Sequence, residues 1–181
     1  MKIVEPIRNK KTIEKIEQNL LLKENKRDLL LFIFGINTGL RISDILALDV
    51  KDVRNKDYLS ICEQKTGKYK KFPLNKKLKR YIKQNIAGRN ANEPLFITIY
   101  NNRMERTYAY KVLKNICKEN KVKESIGTHS LRNTFGYHHY KQYKDVALLQ
   151  KIFNHNSPSI TLRYIGLEQE EINKSYLNFE L

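Results

Sequence analysis

Cysteine is scarce in this 181-residue chain: Cys62 and Cys117 stand far apart, without the paired spacing of a zinc site. In a reducing compartment two such thiols default to free residues at apolar positions, so neither a disulfide nor a metal centre is expected. No apolar run approaches the roughly 20 residues that cross a bilayer, which argues against a membrane-spanning chain. The start, MKIVEPIRNKK, has no apolar h-region and so is not a secretory signal; a cytoplasmic, nucleoid-associated location is expected. Proline and glycine number only four and seven, and no Gly/Ser/Pro-rich linker, repeat or low-complexity tract divides the chain. One domain over residues 1–181 is expected, long enough for a single well-packed core.

Acidic residues are scarce too. Asp plus Glu number 19 against 35 Lys plus Arg, leaving a net charge of +16 with His neutral. Such an excess draws a chain toward a polyanion by counterion release, so nucleic acid is the favoured partner. An anionic membrane surface is the weaker alternative.

Helical periodicity dominates. Ile13, Ile16, Leu20 and Leu21 form a stripe over residues 12–24, with Thr12 as N-cap. A second helix from Lys26 is apolar on every side between Leu29 and Phe34, which places it in the core. It ends at Asn37-Thr38-Gly39, and Ser43 or Asp44 caps a helix through Leu48, leaving Arg41 at a tight junction. Residues 58–62 and 69–74 read as a β-hairpin with a basic tip, Lys65-Thr66-Gly67-Lys68. Further helices are expected from Asn75, from Thr107 to Asn120, and from Thr128 as N-cap through His129, Arg132 and Phe135. Asp145 starts another over Val146–Phe153. Ser157-Pro158 starts a short one bearing Tyr164, and Glu168–Asn178 the last. The stretch 87–94 is loop, and residues 95–99 a short apolar segment. The class is mainly α with a small antiparallel β-sheet.

Of 35 basic residues only ten are Arg, and Arg41 and Arg132 fall at structurally pinned places. A planar guanidinium that never loses its proton suits the two non-bridging oxygens of a phosphodiester under attack. His129, one helical turn before Arg132, can move a proton near neutrality. Tyr164 is a poor nucleophile at its ordinary pKa near 10; Arg41, Arg132 and a protonatable His around it would favour the phenolate. Each residue alone also has a plainer reading. Arg41 could be a surface arginine, His129 and Arg132 an exposed helix pair, His155 a helix-end cation, and Lys65 one of a solvated run with Lys68, Lys70 and Lys71. His138 and His139 fit no spacing and are read as surface or partly packed residues.

What changes the weighing is the order in which three segments occur: Asn37 to Leu48 (NTGLRISDILAL), His129-Ser130-Leu131-Arg132, and Asn154 to Tyr164 (NHNSPSITLRY). Together they resemble the catalytic domain of the tyrosine recombinases, the phage integrase family, over nearly the whole chain. The resemblance implies that family's α+β fold and site-specific breakage and rejoining of double-stranded DNA through a 3′-phosphotyrosine, with no metal or nucleotide cofactor. It implies roles: Arg41 and Arg132 clamp the scissile phosphate, His129 assists proton transfer, His155 bonds a non-bridging oxygen, Lys65 is the general acid and Tyr164 the nucleophile. Asn133 stands where many relatives carry another His. The relatives' N-terminal core-binding domain is not recognisable in the 40 residues before Arg41, so the expectation is either a piece of a longer protein or a minimal recombinase. A non-catalytic DNA-binding regulator and a type IB topoisomerase-like enzyme are the alternatives. The apolar tail, Tyr176, Leu177, Phe179 and Leu181, would dock into a neighbouring protomer in a dimer or tetramer on DNA, or pack back on its own domain.

Overall fold

The computed structural model describes residues 4–180. Among them the elements run α1 (Lys10–Leu22), α2 (Lys26–Thr38), α3 (Ile42–Leu46), α4 (Val50–Val53), β1 (Tyr58–Cys62), β2 (Tyr69–Pro73), α5 (Lys76–Ile86), α6 (Arg106–Glu119), α7 (Ser130–Tyr143), α8 (Val146–Phe153), α9 (Pro158–Tyr164) and α10 (Glu168–Leu177). The strands form one antiparallel pair, in register from Tyr58 opposite Pro73 to Cys62 opposite Tyr69. This is the mainly helical fold with a small sheet that the sequence predicts. Among the described residues no helix is long and apolar enough to cross a membrane.

The all-apolar helix is the centre of the main core. Every residue of α2 from Leu29 to Phe34 is at most 3% exposed, and α1, α5 and α7 pack around it. α2 and α7 approach so closely at Gly35 that a β-carbon there would lie 2.4 Å from Leu131 Cδ1. A second, smaller core gathers Tyr140, Leu149, Phe153, Ile165 and Leu167 beneath α7, α8 and α9. The helix that carries Tyr164 thus rests on its own apolar base.

Caps set most boundaries. Asn75 accepts the Leu78 N–H at 2.8 Å, Asp145 the Leu148 N–H at 2.8 Å, and Ser157 the Ile160 N–H at 3.3 Å ahead of Pro158. Gly39 and Asn154 stop their helices in the left-handed conformation, at φ 61° and 59°. Three caps differ from expectation. α1 starts earlier, at Asn9, whose side chain takes the Lys11 N–H at 2.9 Å. At α3 the N-cap position is Arg41 itself, with Ser43 and Asp44 inside the helix, because Gly39 turns the chain sharply enough for a helix to restart at once. His129, not Thr128, occupies the N-cap position of α7; Thr128 Oγ1 instead accepts a bond from Arg106 at 3.3 Å.

The short α4 was not legible from periodicity; the Asp52 carboxylate steadies it by accepting the Asp49 N–H at 2.8 Å. The apolar stretch 95–99 makes only isolated bridges, Ile97 opposite Arg103 and Pro94 opposite Asp49. Both cysteines are free; Cys117 is buried as expected, whereas Cys62 faces outward from β1. α10 buries none of its residues, and Tyr176, Leu177 and Phe179 are exposed, so the tail does not pack back on its own domain; Leu181 lies outside the described residues.

Gly39 combines a left-handed backbone with a tight neighbour: a β-carbon would sit 2.5 Å from Phe135 Cδ1. Gly39→Ala is expected to lower stability by about 2–4 kcal/mol, from backbone strain plus overpacking. Gly67, equally left-handed at φ 65° but with nothing within 4 Å, should lose only about 1–2 kcal/mol on the same change. Urea denaturation of both variants checks this, and equal losses would count against the Phe135 contact.

Candidate active site

Five separate segments meet at one place. The α2–α3 junction brings Arg41, the hairpin turn Lys65, the start of α7 His129 and Arg132, the α8–α9 loop His155, and the end of α9 Tyr164.

Arg132 is the most firmly held. It is 3% exposed, donates to the carbonyls of Gly39 and Phe153 (the latter at 2.7 Å), and lies 4.3 Å over the Phe153 ring. Two carbonyls that end helices are natural partners for a cation, since the helix dipole leaves partial negative charge there. Arg41 Nη1 lies 3.0 Å from the carboxylate of Glu63, yet this buried nitrogen makes no aligned hydrogen bond. The contact is therefore charge against charge, and the donors of Arg41 keep their directional capacity.

Tyr164 is half-buried, its ring against Phe153 and His155 at centroid distances of 5.6 and 5.1 Å. Its hydroxyl is 3.0 Å from His129 Nδ1. The expectation of a lowered phenol pKa is overturned. Burial pushes Tyr164 above 10, and the pull of Arg132 and Arg41 offsets this only in part. The phenol keeps its proton at neutral pH, so attack requires a base to take it. His129 is suited to that: burial first, then Arg106 and Arg132, hold its pKa below 6.5, so its imidazole is neutral and can accept.

His155 is pushed down to about 4 by burial and by Arg132 and Arg41. Its Nδ1 meets the Thr161 hydroxyl at 3.1 Å. Lys65 is exposed in the turn between β1 and β2, and its charge is felt at His129. The structure therefore brings five of the six sequence-predicted residues into one cluster, with Lys65 on the exposed turn beside it. His138 and His139 lie outside it, one bonded to the Ile7 carbonyl at 2.9 Å, the other between the rings of Phe135 and Tyr143.

Two residues of the site escaped the sequence reading. Lys70 is mostly buried, donates to the Ile152 carbonyl at 2.6 Å and is pushed down to about 8, first by burial and then by Arg132. Glu63 is 1% exposed beneath Arg41. A signal for it existed: Glu63 is the single acid between Asp57 and Glu93, in a stretch crowded with lysine. Asp44, also buried, accepts the Gln64 N–H at 3.0 Å and ties α3 to the hairpin.

All four histidines are held below 6.5, each chiefly by burial. Each stays neutral in the fold where its unfolded counterpart is protonated, so the unfolded chain binds more protons below that pH. Stability of the DNA-free protein is therefore expected to fall as pH drops from 6.5 toward about 4, the His155 value. Urea midpoints across that range test it, and His155→Asn should flatten the lower part of the slope.

A family model described as "Phage integrase family" matches residues 9–171. A probable integrase/recombinase, YoeC of Bacillus subtilis (strain 168), is 48% identical over 180 residues, which cover 99% of this chain and 98% of that one. The tyrosine recombinase XerD of Oceanobacillus iheyensis is 25% identical over 172 residues, and the match spans only 57% of its length. The crystal structure of XerA recombinase superposes with a TM-score of 0.75 at 15% identity, over 96% of this chain and 65% of that one, a likeness of fold. The match runs from α1 into α10 and takes in every residue of the cluster, and this chain belongs to the phage integrase family, the tyrosine recombinases.

Proposed function

We propose that the chain breaks and rejoins double-stranded DNA at specific sites by transesterification through Tyr164. The observation that carries this is the Tyr164 hydroxyl 3.0 Å from a neutral His129, flanked by two guanidinium groups. Arg41 and Arg132 hold the two non-bridging oxygens of the scissile phosphate and stabilise the charge that grows there. As the Tyr164 oxygen bonds to phosphorus, its proton passes to His129. The bond from phosphorus to the 5′-oxygen breaks, and that oxygen takes a proton from the Lys65 ammonium. His155, held by the 3.1 Å contact of its Nδ1 with the Thr161 hydroxyl, hydrogen-bonds a non-bridging phosphate oxygen through its other ring nitrogen.

The product is a 3′-phosphotyrosine with a free 5′-hydroxyl. Attack by a 5′-hydroxyl reverses the exchange on the same or another strand. The ester keeps the bond energy, so no nucleotide cofactor is needed. The net charge of +16 supplies phosphate affinity without a base code, and supports a nucleoid-associated location. The whole catalytic set lies within one domain.

Tyr164→Phe is expected to abolish the covalent protein–DNA adduct on suicide duplexes tiling the DNA that flanks the coding sequence. An adduct that persists moves the nucleophile elsewhere, first to exposed Tyr176. The same assay separates an enzyme from a non-cutting regulator of this fold. Relaxation of supercoiled plasmid without exchange between two sites would mark a type IB topoisomerase instead.

Self-association on DNA, as dimer or tetramer, draws on the tail. Exposed Tyr176, Leu177 and Phe179 form an apolar end suited to a groove on a neighbouring protomer. Removing residues 176–181 is expected to leave single-site binding intact and to lose assembly on a paired site, read by gel mobility. Unchanged assembly excludes the exchange.

A further inference from the structure

We propose that Glu63 is a positioning residue for proton delivery: its buried carboxylate fixes the turn that aims Lys65 at the leaving 5′-oxygen. This rests on the reading of the site as DNA-cleaving with Lys65 as the acid.

A carboxylate at 1% exposure is unfavourable unless partners replace its water. Glu63 has them from three directions. The Thr66 hydroxyl donates to Oε2 at 2.7 Å, Asn154 Nδ2 donates to the same oxygen at 3.3 Å, and Arg41 Nη1 lies 3.0 Å away. Lys70 Nζ stands 4.0 Å from Oε1. Burial pushes the carboxyl up, but the bonds from Thr66 and Asn154 together with the charge of Arg41 more than offset this and hold it below 4.5, so it is ionised.

The same residue organises the turn through its backbone. Its carbonyl accepts the Gly67 N–H at 2.8 Å and the Thr66 N–H at 3.3 Å, and its own N–H donates to the Lys68 carbonyl at 3.0 Å. Gln64 is pinned from outside by Asp44 Oδ1 at 3.0 Å. Lys65 therefore sits between two anchored neighbours, although its own side chain is exposed. A lysine stem carries about 2 kcal/mol of rotamer entropy, so where its ammonium reaches depends on where its backbone is held. One carboxylate thus joins the segment of Arg41, the turn of Lys65 and, through Asn154, the loop of His155. Lys70 closes the assembly by bonding the Ile152 carbonyl at 2.6 Å.

Two variants separate the turn from the rest. Glu63→Gln keeps the shape and removes the charge; Thr66→Val removes only the hydroxyl that ties the turn to Glu63. Both are compared with wild type and Lys65→Ala in single-turnover cleavage of a suicide duplex on which wild type forms its adduct. The duplex is made with an ordinary scissile phosphodiester and again with sulfur in place of the bridging 5′-oxygen. A thiolate leaves without a proton, so the sulfur substrate bypasses the acid.

General acids contribute roughly 100- to 10,000-fold, and a misaimed one loses part of that. Glu63→Gln and Thr66→Val are therefore expected to cleave the oxygen substrate about 10- to 100-fold more slowly, with duplex affinity unchanged. Both should come within about threefold of wild type on sulfur, as should Lys65→Ala, and recovery there also shows that the variants are folded. Equal losses on both substrates, or no loss on oxygen, overturn the proposal. Recovery of Glu63→Gln on sulfur without recovery of Lys65→Ala breaks the link to Lys65 and overturns it as well. Wild type forming no adduct on either substrate would instead sink the cleavage reading, and the proposal with it.

Discussion

The burial of the Arg132 guanidinium is the constraint on which the site hangs. A buried cation is tolerated only with its donors satisfied, and here the donors go to the ends of two helices, the Gly39 carbonyl after α2 and the Phe153 carbonyl at the close of α8. That ties the large core around α2 to the smaller core beneath α9. Phe153 serves twice, offering its carbonyl to the arginine and its ring to both Arg132 and Tyr164. The distance between Arg132 and Tyr164 is thereby set by packing against one aromatic side chain.

The electrostatics follow from how many cations share this space. Arg41, Arg132, Lys65 and Lys70 crowd the site, and two buried carboxylates, Asp44 and Glu63, balance them. The balance is incomplete: atoms of Arg41, Asp44 and Glu63 are buried without a hydrogen-bond partner in the protein. Of these atoms only the Arg41 nitrogen is a donor, and it is the one an incoming anion would satisfy. Burial, reinforced by this surplus positive charge, keeps His129 and His155 neutral. The charge does not make the tyrosine acidic, since removal from water weighs more than attraction to the guanidinium groups.

Much of this was readable along the chain. Gly39, Asn75, Asp145, Asn154 and Ser157-Pro158 act through contacts within four residues, so their effect on helix boundaries is encoded locally. The ordered segments around Arg41, Arg132 and Tyr164 were equally visible. Thr12, Ser43 and Thr128 are plausible caps that lost to neighbours, Asn9 winning by its side-chain bond and Arg41 by the sharp turn at Gly39. Glu63 and Lys70 were hidden, because a charged residue in a lysine-rich hairpin looks solvated until the hairpin is placed against α8.

The sequence by itself determined the helical class, the site of the breaks between elements, the polyanion preference and the identity of the six candidate site residues. The first three depend on side-chain type, near-neighbour spacing and net charge, and the six residues also on the resemblance of their segments to the tyrosine recombinases. Only the tertiary structure decided that Tyr164 stays protonated against a neutral His129, and that one carboxylate joins residues as far apart as Arg41 and Asn154. Protonation and long-range pairing depend on burial and on distances across the fold, which no local spacing carries.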